Sequence, residues 1–166
     1  AVERIHGDVP ENIRDDVVFL RAHILMANGR FAEAVGILRK LQGQKSLEGF
    51  STYNLGIALL KNGQMQEGRQ CLDRTGQIGS NDPATLAIKD KSNLVFGTKM
   101  LEEQNYEGAK QVLDRVRLTG PFSNQALLGA GWTDAFEERF DRALVPWSIL
   151  FNREVTDAAV QEAMLA

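Results

Sequence analysis

The side chains able to do chemistry are few and scattered. His6 and His23 are the only histidines, seventeen residues apart, and Cys71 is the only cysteine. One thiol rules out an internal disulfide and leaves the redox compartment open. It cannot complete a zinc site with two imidazoles unless carboxylates join them, and the sequence places none. Cys71 stands beside Leu72 and near Gly68, which reads as a buried, inert thiol. His23 reads as a solvated or groove-lining helix position. The pairs Glu102/Glu103 and Glu137/Glu138 fall at predicted helix ends, as solvated faces do. No strand precedes a glycine-rich phosphate loop, so nucleotide binding has no support. The chain therefore reads as non-enzymatic, with no catalytic residue, cofactor or metal.

What must be positioned is instead a repeated apolar pattern. Ala22, Leu25, Gly29, Phe31, Ala34 and Leu38 recur 34 residues later as Gly56, Leu59, Gly63, Met65, Gly68 and Leu72. Gly97, Met100, Tyr106, Ala109, Leu113 and Pro121 repeat the set, and Gly131, Asp134, Phe140, Ala143, Trp147 and Val155, 34 residues on, form a weaker copy. Such a period means stacked supersecondary units, none able to bury its apolar face alone. Between the second and third copies the phase slips, because Met65 to Tyr106 spans 41 residues. The excess falls near Gly76–Pro83 and predicts an elongated loop or a lengthened helix.

Apolar spacing predicts helix pairs throughout: 15–28 with 31–41, 47–62 with 65–75, 83–104 with 106–117, and 123–138 with 141–151. A final helix is expected over 157–166, capped by Thr156 or Asp157. Residues 1–13 read as a short helix or irregular lead. Gly29 has the place of a helix-terminating glycine, and Gly43 with Ser46 marks a turn. Asp82-Pro83 has the types favoured at a helix N-cap and first turn. Pro146 falls inside the last paired helix and removes one backbone hydrogen bond there. No stretch alternates with a period of two, so no sheet is expected.

The spacing resembles the tetratricopeptide repeat, a helix–turn–helix unit of 34 residues. That family puts small residues where paired helices cross, here Ala22, Gly56, Gly97 and Gly131 against Ala34, Gly68, Ala109 and Ala143. The turns read Asn28-Gly29-Arg30, Asn62-Gly63-Gln64, Gln104-Asn105 and Glu138-Arg139. The early aromatic of each first helix is replaced by Val18, Thr52, Asn93 and Leu127. The closing proline is present only as Pro121. The resemblance implies one all-α domain over 1–166, a right-handed superhelix of about four antiparallel helix pairs with flanking helices. Its units would span about 15–48, 49–82, 90–123 and 124–157, with a terminal helix over 157–166. The segments 143–147 and 159–163 further resemble repeat proteins of Gram-negative bacteria.

In that family the first helices line a concave groove. The register implies inward positions Phe19 and His23, then Phe50, Tyr53, Asn54 and Ile57, then Lys91 and Leu94, and finally Leu128 and Trp132. Most are apolar, which implies a groove for a peptide or partner helix. The alternative is an architectural or oligomerisation domain whose groove is filled by itself or a symmetry mate. Some relatives clamp a C-terminal carboxylate with five polar groove residues, but the matching positions here are Phe19, His23, Asn54, Lys91 and Val95. Only Asn54 and Lys91 suit an anion, too little charge for that clamp.

The net charge of -3 over 166 residues gives no general pull toward nucleic acid or anionic lipid. No apolar run approaches a membrane span. The chain begins without Met, lacks a signal-peptide pattern and ends within a predicted helix, so it reads as part of a longer protein. The bacterial envelope or periplasm is favoured over the cytoplasm.

Overall fold

The computed structural model describes residues 10–44, 47, 49–153 and 157–165. His6, the lead over 1–9, the turn at Ser46, the repeat position Val155 and the cap at Thr156 lie outside these residues. Among the described residues there are nine helices and no strand: α1 Glu11–Ala27, α2 Phe31–Lys40, α3 Phe50–Lys61, α4 Met65–Gly76, α5 Pro83–Glu102, α6 Tyr106–Leu113, α7 Ser123–Ala135, α8 Phe140–Phe151 and α9 Ala158–Leu165. The class is all-α. The chain divides into two compact units, Ala1–Arg74 and Thr75–Ala166.

Four turns of one design join the pairs. In each, a backbone N–H reaches back to the carbonyl five residues earlier: Arg30 to Leu25, Gln64 to Leu59, Asn105 to Met100 and Arg139 to Asp134, all at 2.9 Å. This is the helix-ending motif that needs one left-handed residue. Gly29 and Gly63 supply it with φ of 72° and 81°, whereas Gln104 and Glu138 adopt 61° and 58° without a glycine. The turn is thus preserved where its preferred residue is not.

Small residues let the paired helices close. Ala22 and Ala34 are fully buried in the core of the first unit with Leu25, Val35, Leu38, Leu55 and Leu59. Gly56 faces the carbonyl of Gly68 and the side chain of Leu72, so that a Cβ there would lie 3.1 Å from each. In the second unit a Cβ on Gly97 would come 2.6 Å from Leu113 Cγ, and one on Gly131 would strike the Trp147 indole. Leu113, Val116, Ala126 and Ala130 form one core cluster. Leu127, Ala143, Trp147, Leu150, Val160 and Ala163 form another, built from α7, α8 and α9.

Several boundaries differ from the sequence expectation. Helix α1 begins at Glu11, directly after Pro10, so the chain is helical earlier than expected. Helix α3 begins at Phe50 because Gly49 takes φ of 83° and breaks the run from Leu47. Helix α6 ends at Leu113, short of Arg117. The buried Asp90 carboxylate accepts from the Arg117 backbone N–H (3.3 Å) and Nε (2.8 Å), which draws that segment out of helical geometry. The phase slip resolves as both a loop and a long helix: α5 has 20 residues and follows the loop after Gly76. Asp82 caps it, accepting from the Thr85 backbone N–H at 2.8 Å. Asn93, buried where an aromatic was expected, donates to the Gly76 carbonyl that ends α4 (2.9 Å).

One ion network and one hydrogen-bond network pin the second unit. Asp134, 1% exposed, sits between Lys110 of α6 (3.1 Å) and Arg139 of the following turn (2.8 Å). Arg153 donates to the Leu118 carbonyl (3.0 Å) and to Ser123 and Asn124, tying the end of α8 to the start of α7.

Candidate functional site

In the first unit the inward positions fall on α1 and α3. Phe19 is half-buried against the core, and its ring lies 4.5 Å from that of the exposed His23. Partial desolvation lowers the His23 pKa, which favours the neutral ring. Phe50 and Ile57 are half-buried. Asn54 is too, but its amide donates to its own helix at the Phe50 carbonyl (2.8 Å). Tyr53 requires a correction: with 7% exposure it belongs to the packing rather than to an open face. Its neighbour positions Leu55, Ala58 and Leu59 are buried as well, so the covered arc of α3 is wider than the register implied.

In the second unit Lys91 is exposed, and Leu94 is half-buried against Leu113 and Val116. Leu128 and Trp132 pack partly on the cluster that contains Val160 and Ala163 of α9. The Trp132 indole N–H donates to Glu162 Oε1 at 3.2 Å, and its ring meets Trp147 edge-on at 5.2 Å. Phe136 continues the aromatic series, 5.5 Å from Trp132 and stacked on Tyr106 at 5.4 Å. Here a terminal helix of the same chain covers part of the face that the register left open. Asn54 spends one of its two amide N–H donors within α3, which leaves one for a ligand.

Cys71 is buried, and burial pushes its thiol pKa up, although Arg74 lies 3.5 Å from the sulfur. A thiol so placed stays protonated and unreactive near neutral pH. It sits in a polar cleft of about 460 Å³ between α2 and α4, where Arg39 and Glu67 pair at 2.8 Å. Among the described residues no three His, Cys, Asp or Glu side chains converge as a metal site would require. No helix among them is long and apolar enough to cross a membrane.

The register overlooked α8. Phe140, Leu144, Val145, Ile149 and Phe151 are all substantially exposed on it. Beside Val145, Pro146 and Ile149 lies a cavity of about 370 Å³ floored by Ala126, Leu127 and Ala130 and closed by Leu113, Val116 and Leu118. The signal was present in the sequence, since 140–151 is apolar on nearly every side. A helix of that kind is ordinarily buried all round.

No protein-family model and no curated protein matches the chain. Solved structures do. MamA AMB-1 superposes with a TM-score of 0.64 at 21% identity, over 93% of this chain and 80% of that one. MamA MSR-1 gives 0.59 at 22% identity, over 92% and 83%. PilF of Pseudomonas aeruginosa gives 0.57 at 18% identity, over 93% and 68%. MamA and PilF are tetratricopeptide-repeat proteins, and this chain has their fold.

Proposed function

We propose that this protein is a non-enzymatic scaffold that holds a peptide or helix of another protein against its first-helix faces. Repeat folds of this kind serve as extended binding surfaces. One observation carries the reading: on α1 and α3 the large apolar side chains Phe19, Phe50 and Ile57 stay only half-buried, although the small residues beside them close the core fully. His23 and Asn54 add polar edges to that face. Taken by itself, the second unit carries similar chemistry at Lys91, Leu94 and Leu128, while Trp132 is partly capped by Glu162. An amphipathic helix or extended segment with apolar anchors fits such a face. The cover that α9 lends to Trp132 favours, as a second reading, a groove partly filled in cis.

The test replaces Ile57 and Phe50 with Asp, singly. Circular dichroism reports the fold, and retention of partners on the immobilised chain reports the surface. Retained helicity with lost capture supports the proposal. Unfolding of both variants assigns these residues to the core, and retained fold with unchanged capture removes this face from consideration.

A further inference from the structure

We propose that the outer face of α8 is a self-association surface, and that its occupant is α8 of a second copy packed antiparallel across a two-fold axis. Phe140, Leu144, Val145, Ile149 and Phe151 on α8, with Leu118 beside it, are 37–63% exposed. Val145, Ile149 and Leu118 line one continuous cavity, so this side of the patch is a concave surface rather than a row of isolated side chains. At ~200 Å² for a large apolar side chain, the six leave on the order of 600 Å² of apolar surface open. That is the upper end of what a monomer tolerates, and most of the ~800 Å² per partner that a stable interface removes.

The polar residues on this face are Ser148, Asn152 and the exposed Asp141, which lies four residues before Val145 and seven before Ser148. The Ser148 hydroxyl donates to the Val145 carbonyl (2.8 Å), and the Asn152 amide donates to the Ser148 carbonyl (3.1 Å). Both side chains spend one donor on their own helix, which lowers the cost of covering them, and the two-fold described below sets the Asp141 carboxylate opposite the remaining Asn152 amide N–H of the other copy. Ser148 is also the small residue in the middle of the exposed arc, flanked by Leu144, Val145 and Ile149. A two-fold between residues 146 and 147 would set each Val145 against the other copy's Ser148, large into small, and each Leu144 against Ile149, one large apolar side chain beside another. A surface that is its own complement is what a closed symmetric dimer needs.

The experiment is sedimentation of the intact chain across a concentration series. The wild type should shift from monomer to dimer. Ser148→Arg and Val145→Lys, both at exposed positions, should each weaken the dimer by at least about 30-fold, the scale of a central interface residue, with unchanged circular dichroism. Leu20→Lys, at an exposed position of α1, should leave dimerisation intact. Oxidation of the Val145→Cys/Ser148→Cys chain should give a covalent dimer, as the antiparallel register requires. A wild type that stays monomeric throughout overturns the proposal. So does a dimer indifferent to both charged variants, and a dimer whose double-cysteine form fails to cross-link overturns the register.

Discussion

Adding one methyl group to a glycine should stabilise this protein at one helical position and destabilise it at another. Gly36 lies inside α2, and a Cβ built there meets nothing within 4 Å. Gly36→Ala removes backbone freedom from the unfolded chain and should gain about 0.5–1 kcal/mol. Gly97 gains the same propensity term, but its Cβ would lie 2.6 Å from Leu113 Cγ and 2.7 Å from Cδ2. Leu113 is 2% exposed and packed among Val116, Ala126 and Ala130, and the Ala109 carbonyl stands 3.3 Å from the same Cβ, so relief requires Leu113 to leave these contacts and shift toward the cavity it lines. Overpacking of that kind costs about 1–3 kcal/mol, which outweighs the propensity gain. At ~2–4 °C per kcal/mol for a chain of this size, Gly36→Ala should raise the melting temperature by a few degrees and Gly97→Ala should lower it. Gly97→Leu should lower it further, because the propensity gain does not grow with the side chain. Thermal denaturation followed by circular dichroism reads all three. The pair Gly97→Ala/Leu113→Ala should lose less than the sum of its parts, since removing Leu113 relieves the clash. An unchanged melting temperature for Gly97→Leu would show that the helix crossing is not where the small residues put it, and the repeat register would be refuted.

The left-handed turn residues give a second sign contrast: Glu138→Gly should stabilise by about 0.5–1 kcal/mol, whereas Gly63→Ala should destabilise by about as much or more, read by urea denaturation. Removing Asp134 strands Lys110 and Arg139, which are 30% and 34% exposed and can turn to water. Asp134→Ala should therefore cost about 3 kcal/mol, the low end of the range for breaking a buried ion pair. The Asp82 cap is pH-dependent. Hydrogen bonds from the Thr85 backbone and side chain lower its pKa below the usual 3.8, so its contribution is present above that value and fades as the pH falls through the lowered one. Asp82→Asn should keep the cap and flatten the acid limb of a melting-temperature profile, while Asp82→Ala should lower the neutral-pH melting temperature; an acid limb identical in the Asn variant would exclude this cap as a source of the pH dependence.

The parts of the fold visible in the sequence are those fixed by steric minima. Only Ala or Gly fits where paired helices cross, and each of Ala22, Gly56, Gly97 and Gly131 lies at such a crossing. Asp82-Pro83 announced α5 because a cap is a local device. The misjudged boundaries were set by distant partners: Asp90 reaches 27 residues along the chain to end α6, which no local pattern encodes. The candidate surface shows the same division more sharply. Helical register assigns a direction to a side chain but not whether anything stands in front of it. Tyr53 points along an arc that is covered, and Trp132 along one that α9 partly fills. Helix α8 inverts the problem, since an apolar circumference fits burial on every side and leaves the uncovered side unspecified. Its Val145 and Ile149 become informative only once Trp147 and Leu150 are seen taking the core. The surplus apolar arc then has no partner among the described residues, and that surplus is the physical reason to expect a second molecule there.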